Sequence, residues 1–260
     1  MEIYMDREKE IRNITLWGSV VNLILTIIKI VAGFLGRSAA MVADGVHSLS
    51  DLLTDFVVIA FTRISSQEND RKHSFGHGKF ETMATLIVSV ILIAVGANLM
   101  ADGVKSIVGV IQGEAIQRPG YIALIAAAIS IIAKEILYQS TIKVGKRTES
   151  PVVIANAWHH RSDALSSIGS LIGIGGAILL GDKWTILDPI AGCCISIAII
   201  VVAIKICIPS LAELLDTSLP EHIENDIITT VLSVDGVNDV HGLKTRRSGI
   251  SFIIVAHIVV

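Results

Sequence analysis

The sequence predicts a membrane all-α domain of six transmembrane helices followed by a small α+β domain, and three observations carry that reading. Of the 260 residues, 52% are hydrophobic and only 17% are charged, against about 25% charged in soluble domains. The apolar excess gathers into runs long enough for a helix to cross a bilayer, which takes about 20 residues; the mean hydropathy is +0.68. From Pro209 onward the composition turns soluble, so the chain divides into a membrane domain over 1–208 and a second domain over 209–260.

The spans are expected, in order, at about Ile14–Leu35, Ala39–Ile64, Phe80–Val110, Tyr121–Val144, Val152–Leu180 and Ile186–Ile208. Several exceed the minimum length, so tilt or protrusion is expected. The stretch ahead of the first, Met1–Asn13, is too charged for a secretory signal. Cys193, Cys194 and Cys207 fall in the sixth run and read as small hydrophobes rather than metal or disulfide chemistry. Further on, Leu219-Pro220-Glu221 starts a helix that runs to about Ser233, and Asp235-Gly236 turns the chain. Val237–Arg247 and Ile250–Val260 then alternate as two strands about Ser248-Gly249. Helix–strand–strand is half of a small α+β domain, and its last strand would leave a bare apolar edge. The expectation is that this domain is incomplete, a truncated piece of a longer natural chain.

Lysine and arginine set the orientation. Arg7, Lys9 and Arg12 precede the first span; Arg63, Arg71 and Lys72 lie between the second and third; Lys143, Lys146 and Arg147 lie between the fourth and fifth. The alternate connections hold little beyond Arg37, Arg118 and Lys183. Both termini are therefore expected in the cytoplasm, the protein being multi-pass in the inner (plasma) membrane. The net charge of −3 and the lack of a basic tract argue against nucleic acid.

The chemistry is concentrated in two matched stretches, Ala43-Asp44-Gly45-Val46-His47-Ser48-Leu49-Ser50-Asp51 and Ala155-Asn156-Ala157-Trp158-His159-His160-Arg161-Ser162-Asp163. They keep Ala, a polar residue, His, Ser and Asp in register. In each, His and Asp are four apart, which on a helix is one turn along the same face. With antiparallel spans, a rise of 1.5 Å per residue puts His47 and Asp51 roughly 12 to 18 Å from the outer face and His159 and Asp163 roughly 11 to 17 Å from the inner one. Both pairs then fall near the midplane of a core about 30 Å thick. A single His–Asp pair is more often structural. Two matched pairs at that depth mark a functional site, and two imidazoles with two carboxylates suit a small divalent ion such as zinc.

His160 also precedes Asp163 on a neighbouring helical position, but His159 reproduces the spacing of the first pair. Asp44 and Asn156 share the faces of the histidines, as orienting partners, spare ligands or part of a wet path. Asp55 continues the second span's stripe. Asn22, Lys29, Asn98, Asp102, Lys105, Lys134 and Glu135 lie in or near spans, where residues close to the ends snorkel. Outside the spans, Asp70, His73 and His77 form a ligand set for a borderline metal, although a solvated charged loop fits them equally well. On their own, His241 and His257 read as surface histidines, and Lys79 and Asp216 as solvated charges.

The motifs His47-Ser48-Leu49-Ser50-Asp51, His159-His160-Arg161-Ser162-Asp163, Asp70-Arg71-Lys72-His73-Ser74-Phe75-Gly76-His77-Gly78-Lys79, Leu215-Asp216 before Pro220, and Asp239-Val240-His241-Gly242-Leu243-Lys244-Thr245-Arg246-Arg247-Ser248-Gly249 together resemble the cation diffusion facilitator family of metal/proton antiporters. The resemblance covers essentially the whole chain. It implies six transmembrane helices, a cytoplasmic ferredoxin-like domain and a homodimer in the lipid bilayer. It also implies a transport site of His47, Asp51, His159 and Asp163, and a second metal site of Asp70, His73 and His77. A third would include His241 and His257, its other ligands lying further C-terminal. Lys79 and Asp216 match an ion pair that locks the family dimer. Zn2+ is the implied cargo and regulatory ion. Relatives that take manganese show more oxygen ligands, and other relatives, of iron or broad specificity, carry Asp where His47 stands here.

The expected function is export of a divalent metal cation, Zn2+ first, in exchange for protons by alternating access. A ligand imidazole must be neutral, and histidine's ordinary pKa of about 6.5 lets protons compete near neutrality. No phosphate-binding loop of the Walker type appears. Neither an HExxH base nor a nucleophile pattern is present, and four protein ligands leave no open position for water, so an enzyme is not expected. The alternatives are a manganese or iron exporter of the same kind, a metal-gated channel, and a membrane sensor that binds metal without moving it.

Overall fold

The computed structural model describes residues 2–65, 70–73, 75–114, 117–148, 150–181, 184–249 and 251–260. In chain order it contains α1 (Glu2–Leu35), α2 (Ala39–Ser65), α3 (Gly78–Ile111), α4 (Tyr121–Arg147), α5 (Pro151–Leu179), α6 (Leu187–Leu214), α7 (Glu221–Leu232), β1 (Asp239–Ser248) and β2 (Ser251–Val259). The side chains of Arg7, Asp55 and Arg63, and the whole of Ser74 and Lys183, lie outside the described residues.

Each expected span has its helix, with two differences in length. α1 starts well ahead of the apolar run, because the Glu, Lys and Arg residues before it favour helix. α6 continues through Pro209 to Leu214, past the expected end at Ile208. Proline removes one hydrogen bond from the ladder, and the ladder resumes beyond it with Leu215 N donating to Leu211 O at 3.0 Å. Among the described residues, five helices are long and apolar enough to cross a membrane: α1, α3, α4, α5 and α6.

The chain forms two compact units: residues 1–52 with 92–201, and residues 53–91 with 202–260. In the first, α4 packs against α5 and α1. Its interior is built of small side chains, Ala32, Ala40, Ala123, Ala126 and Ala127, closed by Met41, Ile174 and Ile178; small residues let helices approach closely where no water drives them together. α1 and α2 touch through glycine, and a Cβ on Gly45 would stand 3.0 Å from Ile30 N. α4 is patterned inside out. Ile125, Ile129, Ile132 and Ile136 face outward, while Ser130, Lys134 and Thr141 are buried. That inversion belongs to a helix solvated by lipid, where polar groups must find partners inside the bundle.

The start of α2 is fixed from two sides. Ser38 Oγ accepts from Met41 N at 3.1 Å, an N-cap bond. The same hydroxyl donates to Asp188 Oδ1 at 2.5 Å, and Ala39 N donates to Asp188 Oδ2 at 2.7 Å. A carboxylate from the first turn of α6 thus meets the positive end of α2, the helix that carries His47 and Asp51.

In the second unit β1 and β2 form an antiparallel pair running from Asp239↔Val259 to Ser248↔Ser251, with a bulge between His241 and Lys244. Gly242, at φ 64°, takes the left-handed conformation that the bulge needs. α7 packs on β1, and Thr245 Oγ1 joins them by donating to Glu224 Oε1 at 2.6 Å and accepting from Leu219 N at 2.9 Å.

Candidate metal centre

Helical spacing places His47 above Asp51 on α2, and His159 above Asp163 on α5. Packing then brings ligand atoms of His47, Asp51 and Asp163 within 4.8 Å of one another. His159 adjoins the group through Asp163, with 3.7 Å from Nδ1 to Oδ1, and its side chain is 50% exposed. Its neighbour His160 is 2% exposed. It points elsewhere: a Cβ on Gly18 of α1 would lie 3.4 Å from His160 Nε2. Consecutive residues diverge by about 100° on a helix, so the two imidazoles point in different directions, their ring centroids 6.3 Å apart. Among the described residues, His47 Nδ1 is buried with no hydrogen-bond partner. Nitrogen with carboxylate oxygen is a donor set that fits a borderline divalent ion.

Two lysines stand beside these groups, and the sequence reading gave neither a role. Lys29 Nζ lies 2.9 Å from Asp44 Oδ2 and donates to Ser48 Oγ at 3.1 Å and Ser167 Oγ at 2.9 Å. Ser167 Oγ in turn donates to Asp44 Oδ2 at 2.9 Å. Lys29 and Asp44 have no exposed surface, so this knot ties α1, α2 and α5 together and occupies Asp44. Lys134 of α4 donates to Asp163 Oδ2 at 2.6 Å, inside the ligand group itself. One signal was available from sequence: an ammonium in mid-span requires an anion nearby. Which anion it meets depends on helix rotation, which periodicity does not report. Lys105, near the end of α3, is exposed and lies 3.7 Å from Asp102.

The loop residues form a second group in the other unit. Ligand atoms of Asp70, His73 and His77 lie within 4.8 Å of one another. Asp70 Oδ1 accepts from Lys72 N at 2.8 Å and His73 N at 2.6 Å. Chiefly through the His73 N–H, this turn holds the Asp70 carboxyl below its ordinary 3.8. His77 is buried against Phe80, with ring centroids 5.7 Å apart, and 4.4 Å from the His73 ring. Across the strand pair, His241 faces His257 with ring centroids 5.5 Å apart, and His241 Nδ1 lies 3.2 Å from Asp239 Oδ2. Lys79 and Asp216 do meet, at 2.5 Å, and Arg246 joins them at 2.9 Å. The Lys79 ammonium first, and Arg246 second, hold the Asp216 carboxyl below 3.8. Asp216 sits at φ 55°, just past the end of α6.

Apolar helices of membrane length place the chain in a class, the integral membrane proteins, and the His and Asp groups between them could hold a metal ion. Sequence comparison gives the family. Residues 16–215 match the cation efflux transmembrane domain, and residues 219–260 match the cytoplasmic domain of cation efflux proteins. Metal tolerance protein C1 of Arabidopsis thaliana is 36% identical over 255 residues, 94% of this chain and 53% of its own length. The manganese efflux system protein MneP of Bacillus subtilis is 33% identical over 248 residues, 94% of this chain and 82% of its own length. Magnetosome protein MamM of Magnetospirillum gryphiswaldense is 32% identical over 239 residues, 92% of this chain and 73% of its own length. This chain therefore spans about half the length of the Arabidopsis relative and more of the bacterial ones. The chain belongs to the cation efflux, or cation diffusion facilitator, family. It is a multi-pass integral membrane protein, and members of this family are transporters, not enzymes.

Proposed function

We propose that the protein exports a divalent metal cation, Zn2+ first, in exchange for protons by alternating access at His47, Asp51, His159 and Asp163. The observation that carries this reading is the convergence of His47, Asp51 and Asp163 from α2 and α5 to within 4.8 Å, with His159 3.7 Å from Asp163. On the cytoplasmic side the four groups bind the ion, which requires neutral imidazoles and ionised carboxylates. On the far side protons compete for the same atoms and displace it. Partial exposure of His159 gives the ion a ligand that is reachable before the buried ones. α2 is the sixth span in this reading: its charges are carried across the bilayer because Lys29 pairs Asp44 and the ligands serve the ion. The membrane domain is 1–208 and the cytoplasmic domain 209–260, of ferredoxin-like type, with both termini cytoplasmic in the inner membrane. The functional unit is a homodimer locked by Lys79 and Asp216, while Asp70, His73 and His77, and His241 with His257, bind regulatory metal.

The test is flux in proteoliposomes with internal zinc and pH indicators, for the wild type and for Asp51→Ala and His159→Ala. Zinc uptake with a matching pH change, lost in both variants, is the expected result. Uptake without proton movement identifies a channel, and binding without flux a sensor. Manganese is the second reading, favoured by the name of the Bacillus relative. Two imidazoles argue for zinc over a harder ion, and competition of Mn2+ against Zn2+ uptake decides between them.

A further inference from the structure

We propose that Lys134 is a tethered cation of the transport site: its ammonium holds Asp163 while no metal is bound, and the incoming divalent ion displaces it. This rests on the reading of Asp163 as a ligand. Lys134 and Asp163 are 3% and 8% exposed at the side chain, and 2.6 Å separates Nζ from Oδ2. Asp163 is also within 4.8 Å of His47 and Asp51, so the ammonium stands where a divalent ion at these ligands would stand, or next to it. The carboxylate is divided between two partners, Oδ2 toward Lys134 and Oδ1 toward His159.

The two buried lysines differ in a way that bears on this role. Lys29 has Asp44 and two serine hydroxyls as partners, all outside the ligand group. It is the fixed member of a structural knot. Lys134 donates to a ligand carboxylate and reaches it from a different helix, at the end of a flexible four-carbon stem. Formally, Asp51, Asp163 and Lys134 sum to −1 without metal and to +1 with a divalent ion. Without the ammonium, the metal-free carrier would have two buried carboxylates to neutralise with protons alone, and any left ionised would be costly. With it, the formal charge of that state is −1 rather than −2. The cost falls on the loaded state, where ammonium and metal repel in a poorly screened interior. Lys134 thereby lowers metal affinity and favours release, which suits a carrier that must let go as well as bind.

The experiment measures Cd2+ binding to the full chain in detergent by isothermal calorimetry. The variants are Lys134→Gln, Lys134→Arg, Lys134→Met and Asp163→Ala, with folding checked by size exclusion. The expected result is affinity about tenfold or more tighter in Lys134→Gln and Lys134→Met, and near wild type in Lys134→Arg, where charge is kept. Cadmium release from loaded proteoliposomes should slow in the two neutral variants. A folded neutral variant with unchanged or weaker affinity overturns the proposal. Asp163→Ala separates the two readings. If it binds like wild type, the site assignment itself fails; if it loses binding while Lys134→Gln is unchanged, only the tethered cation fails. A wild-type measurement stands free of variant folding: amine labelling of Lys134 should rise when Cd2+ is added, and labelling that does not rise counts against displacement.

Discussion

The mid-span cluster on α2 and α5 and the loop cluster of Asp70, His73 and His77 use the same residue types at the same close range, yet they are held in opposite ways. In the loop, the carboxylate is satisfied by two backbone N–H groups of its own turn, so local geometry suffices to explain it. In the span, no local donor is free, because the helix has used its backbone. Two of the carboxylates there are met from another helix: Asp44 by Lys29 of α1, Asp163 by Lys134 of α4. Water near the loop makes a carboxylate cheap to keep whether or not metal comes. Burial makes each uncompensated charge expensive, so the buried cluster is the one whose existence needs a function.

The comparison can be broken most directly at the ligands. Asp51→Ala should abolish zinc transport, whereas His73→Ala should leave transport running and remove only metal bound at the loop; equal losses from both would erase the distinction. Next in size is Lys29→Met, which leaves Asp44 buried and unpaired and should cost about 3–5 kcal/mol of stability. Lys29→Met with Asp44→Asn should recover much of that, as read by thermal unfolding in detergent. Ser38→Ala removes the cap of α2 and one bond to Asp188 and should cost about 1 kcal/mol, with a modest fall in Tm and no change in metal selectivity. The smallest effect belongs to Asp216. Its carboxyl titrates below 3.8 when folded, so its contact with Lys79 is fully present above that pH and is lost as pH falls through the lowered value. Comparing wild type with Asp216→Asn should therefore show no pH-dependent difference in Tm between neutrality and mild acid, and convergence only in strong acid.

Particular residues show what could be read without coordinates. His47 with Asp51, and His159 with Asp163, were legible because a four-residue spacing is a property of one helix. Lys134 was visible only as a polar residue in a span. Its partner lies 29 positions away on another helix, and no pattern within α4 names it. The same holds for Asp188 and Ser38, which are 150 positions apart. The choice between His159 and His160 rested on repeat spacing alone. The structure puts the first beside Asp163 and buries the second near Gly18.

The sequence by itself determined the helices, the strand pair, the two His–Asp pairs and the family, because apolar runs, period and motif spacing are local features of the chain. Only the tertiary structure decided which buried charges face one another. Rotation and packing of helices carry that information, and they follow from shape: the alanine seam of α4 and the glycine contact of α1 with α2 set the distances at which an ammonium can reach a carboxylate.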